Sequence, residues 1–74
     1  MVVVWKVLIG SNGSVNSDIL YKGTSQAVAA QTLDDTCDFL EESGWYMVDE
    51  IESEKEFSYK YEKMYKTMLI RMSL

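Results

Sequence analysis

The alternation of apolar and polar positions predicts a β-hairpin over the first 23 residues. Residues 2–9 are rich in β-branched side chains, which favour strands, and residues 19–22 supply the returning strand. Residues 10–14 read Gly-Ser-Asn-Gly-Ser, and the Asn-Gly pair is a strong turn signal. The two strands are therefore expected to pair antiparallel.

The register of this hairpin follows from the length of its loop. A three-residue loop at 12–14 pairs Val7 with Ile19 and Trp5 with Tyr21. A two-residue loop would mix apolar and polar side chains on both faces, so the three-residue loop is favoured. It places five apolar side chains on one face: Val3, Trp5, Val7, Ile19 and Tyr21.

A helix is predicted over residues 27–43. The preceding Gly23-Thr24-Ser25 breaks the strand and offers an N-cap hydroxyl, and Gly44 stands where a left-handed C-terminal cap is expected. At about 100° per residue, one apolar stripe forms along the helix. Its members are Ala30, Leu33, Cys37 and Leu40, with Ala29 at the edge. This stripe is predicted to cover the sheet.

Two more strands are predicted after the helix. Residues 45–51 form the third strand and residues 52–55 the following turn. Phe57, Tyr59 and Tyr61 alternate with polar residues, so a fourth strand begins there, with these aromatics expected to pack under the helix.

The end of the chain is less defined. Met64, Met68 and Met72 fit a helical period, whereas residues 68–70 extend the strand or begin a fifth one after a break. The β alternative is favoured. The predicted fold is a single α+β domain over residues 1–74, with ββαββ order: a four-stranded antiparallel sheet with one helix packed across one face.

Composition narrows the chemistry. The chain has 74 residues, one cysteine and no histidine, so neither an internal disulfide nor a Cys/His zinc site is expected. Cys37 lies on the inward stripe among acids that raise a thiol pKa, which predicts a structural rather than a nucleophilic cysteine. No phosphate-binding glycine loop or metal-binding loop occurs. We expect no enzyme activity and no cofactor or metal.

The acidic residues are unevenly distributed. The net charge is −5, which argues against nucleic acid or an anionic membrane as the main partner of the surface. Ten of the twelve acids lie between residues 34 and 56, offset by Lys55 alone. The predicted helix contains no basic residue, although mixed signs at i, i+4 would stabilise it.

Two interpretations of the acids compete. One is a solvated surface that keeps a small protein in solution. The other is an array of carboxylates that faces a basic partner. Its predicted members are Asp34, Asp35, Asp38, Glu41 and Glu42 on the helix, and Glu50, Glu52 and Glu54 on the third strand and its turn.

Two further surface features carry hypotheses. Val28 and Phe39 fall within about 20° of each other, opposite the core stripe. They predict an interface with the target or with a second copy, unless their exposure is incidental or the C-terminal segment covers them. The tail from Phe57 interleaves aromatics with Lys60, Lys63 and Lys66, a pattern that can stack single-stranded bases and hold phosphates. Strand alternation weakens that idea, because it places the aromatics and Lys60 on opposite faces.

In size, acidity, absence of catalytic groups and lack of a signal sequence, the chain resembles the small host-takeover proteins of lytic bacteriophages, and among them the acidic DNA-mimic inhibitors. The resemblance is one of overall character over the whole chain and rests on no shared motif. It implies an inhibitor that occupies the nucleic-acid-binding surface of a basic host protein, such as a nucleoid-associated protein, a nuclease or a transcription factor. The single thiol and the lack of a targeting segment favour the cytoplasm, and the net charge predicts no direct binding to nucleic acid or membrane. The tail from Phe57, with a charge of +3, departs from a uniformly acidic mimic.

The leading hypothesis is therefore a non-enzymatic acidic binding protein that inhibits a basic nucleic-acid-binding partner, as a monomer or a homodimer. A single-stranded nucleic-acid-binding module that uses the tail is the first alternative. A structural or assembly module is the second.

Overall fold

The computed structural model describes all residues from Met1 to Leu74 as one helix and five strands. Their bounds are β1 (Val2–Ile9), β2 (Val15–Gly23), α1 (Gln26–Glu42), β3 (Tyr46–Glu52), β4 (Glu56–Lys63) and β5 (Lys66–Ser73). The strands form one antiparallel sheet in the order β2-β1-β5-β4-β3. The α+β class is confirmed, whereas the predicted count of four strands is wrong.

The fifth strand results from a tight turn that carries no glycine. Met64 and Tyr65 adopt φ values of 48° and 67°, and Lys63 pairs with Lys66 across them. Two-residue hairpin turns of this left-handed kind usually contain Asn-Gly, so the residues Met-Tyr gave no turn signal. The chain reverses here, and β5 returns between β4 and β1 as the central strand.

The β1–β2 register also differs from the prediction. The loop closes with hydrogen bonds from Gly10 N to Ser14 O and from Gly13 N to Gly10 O, so β2 begins at Val15, opposite Ile9. Trp5 therefore pairs with Ile19 rather than with Tyr21.

A β-bulge at Leu20 changes the phase of β2. The register skips this residue, and Tyr21 pairs with Val4 instead of Trp5. Leu20 and Tyr21 consequently both contact the core on the helix side. Tyr21 does not share a face with Trp5, Val7 and Ile19, because one extra residue exchanges the two faces of the strand.

The helix begins and ends where its caps predict. The Ser25 Oγ accepts a hydrogen bond from Val28 N at 3.2 Å, and Gly44 follows the helix with a φ of 89°. The buried side chains are Ala29, Leu33 and Leu40. Ala30 is exposed, so Ala29 rather than Ala30 allows the close approach to the sheet.

The core lies between α1 and one face of the sheet. Nine apolar residues are buried there: Val2, Val4, Ala29, Leu33, Leu40, Tyr61, Met68, Ile70 and Met72. Phe57 and Tyr59 pack against this core from β4, which confirms that the alternating aromatics lie under the helix. The other face of the sheet is covered by no element of the chain, and we call it the bare face.

Candidate functional site

A groove with acidic walls lies between α1 and β3. Three carboxylates line it from the helix, Asp34, Asp38 and Glu41, and two from the strand, Glu50 and Glu52. Cys37, Met47, Tyr59 and Tyr61 complete the lining, and the groove encloses about 430 Å³. No basic side chain lines it. We call this feature the acidic groove.

The helical wall follows from the spacing of its acids. Asp34, Asp38 and Glu41 stand at i, i+4 and i+7, positions that share one side of a helix. With a rise of 1.5 Å per residue, the three span about 10 Å along the axis. The wall lies beside the buried stripe, so its carboxylates remain exposed while the helix packs on the sheet.

A second bulge positions the wall on β3. Met47 pairs with Tyr61 and Glu50 with Tyr59, so the four residues 47–50 on β3 oppose the three residues 59–61 on β4, and Val48 is the extra residue. The extra residue exchanges the faces of the strand. Glu50 and Glu52 therefore share the helix side, about 7 Å apart along the strand.

The floor of the groove contains two phenols. The Tyr59 Oη donates a hydrogen bond to Glu52 Oε1 at 2.8 Å. Desolvation raises the pKa of Tyr59, and the bond to Glu52 raises it further. Tyr61 is 1% exposed, and burial followed by its hydrogen bond with Cys37 raises its pKa as well. Both phenols are therefore neutral at neutral pH.

Cys37 lies half-buried on the same floor. Burial is the main cause that raises the pKa of its thiol, and the charges of Glu41, Asp34 and Asp38 add to it, while the bond with Tyr61 acts in the opposite direction. The direction is the one expected from the acids around it. A thiol with a raised pKa is a poor nucleophile.

Three of the eight predicted partner-binding acids lie outside the groove. Asp35 is exposed on the helix and accepts a hydrogen bond from Gln31 Nε2 at 2.8 Å. Glu42 is exposed at the end of the helix, and Glu54 lies in the turn between β3 and β4. Five predicted acids are thus brought together, and three are not.

The helix also exposes the two predicted interface residues. Val28 is 48% exposed and Phe39 is 65% exposed, on the side of α1 away from the sheet. The Thr32 Oγ1 between them donates a hydrogen bond to Val28 O, and the exposed Asp35 lies on the same side of the helix. Their role as an interface stays a prediction.

The basic and aromatic residues of the tail do not form one platform. Tyr61 is buried under the helix, while Lys60 is on the opposite face of β4 beside Asp49. The Lys63 Nζ donates to Ser43 O at the end of the helix. Tyr65 is 95% exposed at the tip of the β4–β5 turn.

The charges divide between the two sides of the sheet. The register assigns eight acids and three bases to the side covered by the helix, and three acids and three bases to the bare face. The net charge of −5 therefore resides on the helix side. The bare-face charges are Asp49, Glu56 and Glu62, with Lys22, Lys60 and Arg71.

Sequence reasoning missed the bare face as a feature. It carries eight large aliphatic or indole side chains: Val3, Trp5, Val7, Ile9, Val15, Ile19, Ile51 and Leu69. The signal that could have revealed it is β1 itself, where both alternating sets contain apolar residues. That pattern is typical of a strand covered on both faces.

A comparison of the chain with protein-family models, with curated proteins and with solved structures gives no match. No three histidine, cysteine, aspartate or glutamate side chains are grouped so as to hold a metal ion. No helix has the length and apolar character required to cross a membrane. Fold and groove together define a small α+β domain with a strongly acidic helix side.

Proposed function

We propose that this protein is a non-enzymatic DNA-mimic inhibitor, which binds a basic nucleic-acid-binding protein through the acidic groove. The observation that carries the proposal is the pair of carboxylate rows that face each other across the groove with no basic side chain among them. A duplex also presents two rows of anionic charge beside a groove. Its phosphates recur about every 3.4 Å of axis on each strand.

The groove suits the side chains that hold phosphates. An arginine or lysine of the partner would meet carboxylates from both walls, and bidentate pairing with arginine is the strongest of these contacts. The rings of Tyr59 and Tyr61 form part of the floor. A cation that enters is therefore close to the partly exposed ring of Tyr59 as well as to carboxylates.

The proposed mechanism is competition. The same basic surface cannot hold phosphates and the acidic groove at once, and attraction between opposite charges accelerates the encounter. Because both complexes depend on charge, both weaken as salt rises. We place this activity in the cytoplasm, which is the host cytoplasm if the chain is viral.

The test is capture from bacterial lysate, with nuclease treatment and elution by a salt gradient. The groove variant carries Asp34→Asn, Asp38→Asn and Glu41→Gln. Its matched control carries Asp35→Asn, Glu42→Gln and Glu54→Gln, which remove the same three charges outside the groove. Both variants have a net charge of −2, so any difference between them reports position rather than total charge.

We expect wild type and control to retain a basic DNA- or RNA-binding protein to similar salt concentrations, and the groove variant to release it at the lowest salt. Equal loss in both variants would contradict the proposal, because attraction would then depend on net charge alone. Circular dichroism of each variant checks that the fold is intact.

The β4–β5 turn favours a second candidate, the binding of single-stranded nucleic acid. Tyr65 projects from the tip, and Lys63 and Lys66 flank the turn. This combination offers one stacking ring with neighbouring cations. The same capture experiment separates the two functions: recovery of nucleic acid that disappears on nuclease treatment, and that Lys63→Glu with Lys66→Glu abolishes, would favour this candidate.

A further inference from the structure

The bare face combines exposed apolar area with balanced charge. Val15, Ile19 and Ile51 are 63%, 65% and 57% exposed, and Trp5 and Val7 are only partly covered. Seven of its eight large apolar side chains are on the neighbouring strands β2, β1 and β5, where they are adjacent in the register. A continuous apolar patch of this kind marks an interaction surface.

We propose that the bare face is a homodimer interface, in which two copies stack their sheets face to face. Five strands of about eight residues cover a footprint of roughly 24 by 26 Å, or on the order of 600 Å² in projection. Side chains make the accessible area larger than its projection. A standard interface buries about 800 Å² on each partner, so the face is of the required size.

The distribution of charge favours binding of a second copy to the bare face rather than to the helix side. The bare face carries three acids and three bases, so two copies meet without net repulsion. Contact through the helix side would bring two surfaces of −5 together. Arg71 pairs with Glu56, and Lys60 lies opposite Asp49, so four of the six charges already have a neighbour of opposite sign.

The Trp5 ring is a suitable anchor for the interface. The Arg71 guanidinium carbon lies 5.6 Å from the centre of the Trp5 ring, which holds the indole and the cation together on the face. Tryptophan and arginine are the residues most enriched at the energetic centres of protein interfaces. Arg71 is on the central strand β5, and Trp5 is on the neighbouring strand β1.

The edges of the sheet are poorly suited to pairing with another copy. The edge strands β2 and β3 each contain a bulge, at Leu20 and at Val48, and β3 carries Asp49, Glu50 and Glu52. Bulges and charges on edge strands oppose edge-to-edge pairing. Stacking of the bare faces is the remaining route by which two sheets associate.

The first test is the molar mass of the protein by light scattering and sedimentation over about a hundredfold range of concentration. We expect twice the 8.5 kDa chain mass at high concentration. The interface variant carries Val7→Lys with Leu69→Glu, a cross-strand pair whose new charges are opposite and leave the net charge unchanged. Its dimer dissociation constant should rise by about 100-fold.

The matched control is Val28→Glu with Phe39→Lys, which alters the exposed apolar residues of the helix and also preserves net charge. It should remain dimeric. A wild-type mass of 8.5 kDa at every concentration would overturn the proposal. Loss of the dimer in the control but not in the interface variant would also overturn it, and would assign the contact to the helix.

A second measurement does not require the interface variant to fold. In Trp45→Phe, Trp5 is the only tryptophan, and its fluorescence should shift to longer wavelength on dilution as the indole becomes solvated. In Trp5→Phe, the remaining Trp45 packs against the core and should show no shift on dilution. An emission of Trp5 that is independent of concentration, in a sample whose mass changes, would overturn the proposal.

Discussion

The two faces of the sheet differ in almost every physical property. The face under the helix holds the nine buried residues, while its surroundings carry all of the net charge. The bare face is apolar and balanced in charge, and no element of the chain covers it. The core therefore occupies only one face of the sheet, and the apolar character of the opposite face is the basis for the proposed dimer.

The neighbours Ile70 and Leu69 on β5 test this contrast most strongly. Ile70 is 0% exposed under the helix, and Leu69 is on the bare face. Ile70→Ala should lower the free energy of unfolding by about 3 kcal/mol, because it leaves a cavity in the core. This is a large share of the stability of a small domain.

In dilute, monomeric protein, Leu69→Ala should lower the free energy of unfolding by less than about 1 kcal/mol. The loss should be larger only at concentrations where the dimer is populated. Urea denaturation at two protein concentrations measures both effects. Equal costs for the two substitutions in dilute protein would break the contrast between the faces.

Alkaline pH should act on the helix side. Cys37, Tyr59 and Tyr61 have raised pKa values in the folded chain, against ordinary values of 9.0 for the thiol and 10.0 for each phenol. The unfolded chain therefore loses these protons first, and the stability they contribute is lost progressively as pH rises above about 9. The melting temperature should therefore be lower above pH 10 than at neutral pH.

The variant Tyr59→Phe should reduce this pH dependence, because it removes one of the three groups. Tyr46→Phe is the matched control, since Tyr46 is 74% exposed on the bare side of β3. If the melting temperature of Tyr59→Phe decreases between the two pH values by as much as that of wild type, Tyr59 does not contribute to the pH dependence of stability.

The smallest expected effect concerns the thiol of Cys37. Iodoacetamide, which is uncharged, should label native Cys37 more slowly than the unfolded chain, because the raised pKa reduces the thiolate fraction. The groove variant at Asp34, Asp38 and Glu41 should be labelled severalfold faster, since three of the causes that raise the pKa are removed. Labelling rates by mass spectrometry provide the measurement.

The charge-matched control at Asp35, Glu42 and Glu54 should be labelled at the wild-type rate. Equal acceleration in both variants would show that the thiol responds to total charge, and not to the carboxylates of the groove.

Local signals were sufficient for much of the fold. The serine N-cap, the Gly44 cap and the apolar stripe determine the helix, and the run of β-branched residues determines β1. The register was not predictable, because single-residue bulges at Leu20 and Val48 exchange the faces of β2 and β3 without a local signature. The Met64-Tyr65 turn hid the fifth strand for a related reason, since its residues are atypical of left-handed turns.

The site was predictable in part. Acids one or two turns apart on the helix and two apart on β3 could be assigned to common faces, and Asp34, Asp38, Glu41, Glu50 and Glu52 do come together. Their arrangement around one groove depends on the bulge in β3, for which the sequence contains no local signal. The bare face is defined by the side of the sheet on which the helix packs. Its central strand is β5, which a prediction of four strands does not include.

In the proposed mechanism, the acidic groove occupies the surface of a basic protein that otherwise binds nucleic acid. Displacement of labelled duplex DNA from the captured partner, followed by fluorescence anisotropy at two salt concentrations, tests this competition. Wild type and the control at Asp35, Glu42 and Glu54 should displace the duplex, the groove variant should not, and higher salt should weaken displacement. A complex that holds the duplex and this protein together, or equal displacement by both variants, would contradict this mechanism.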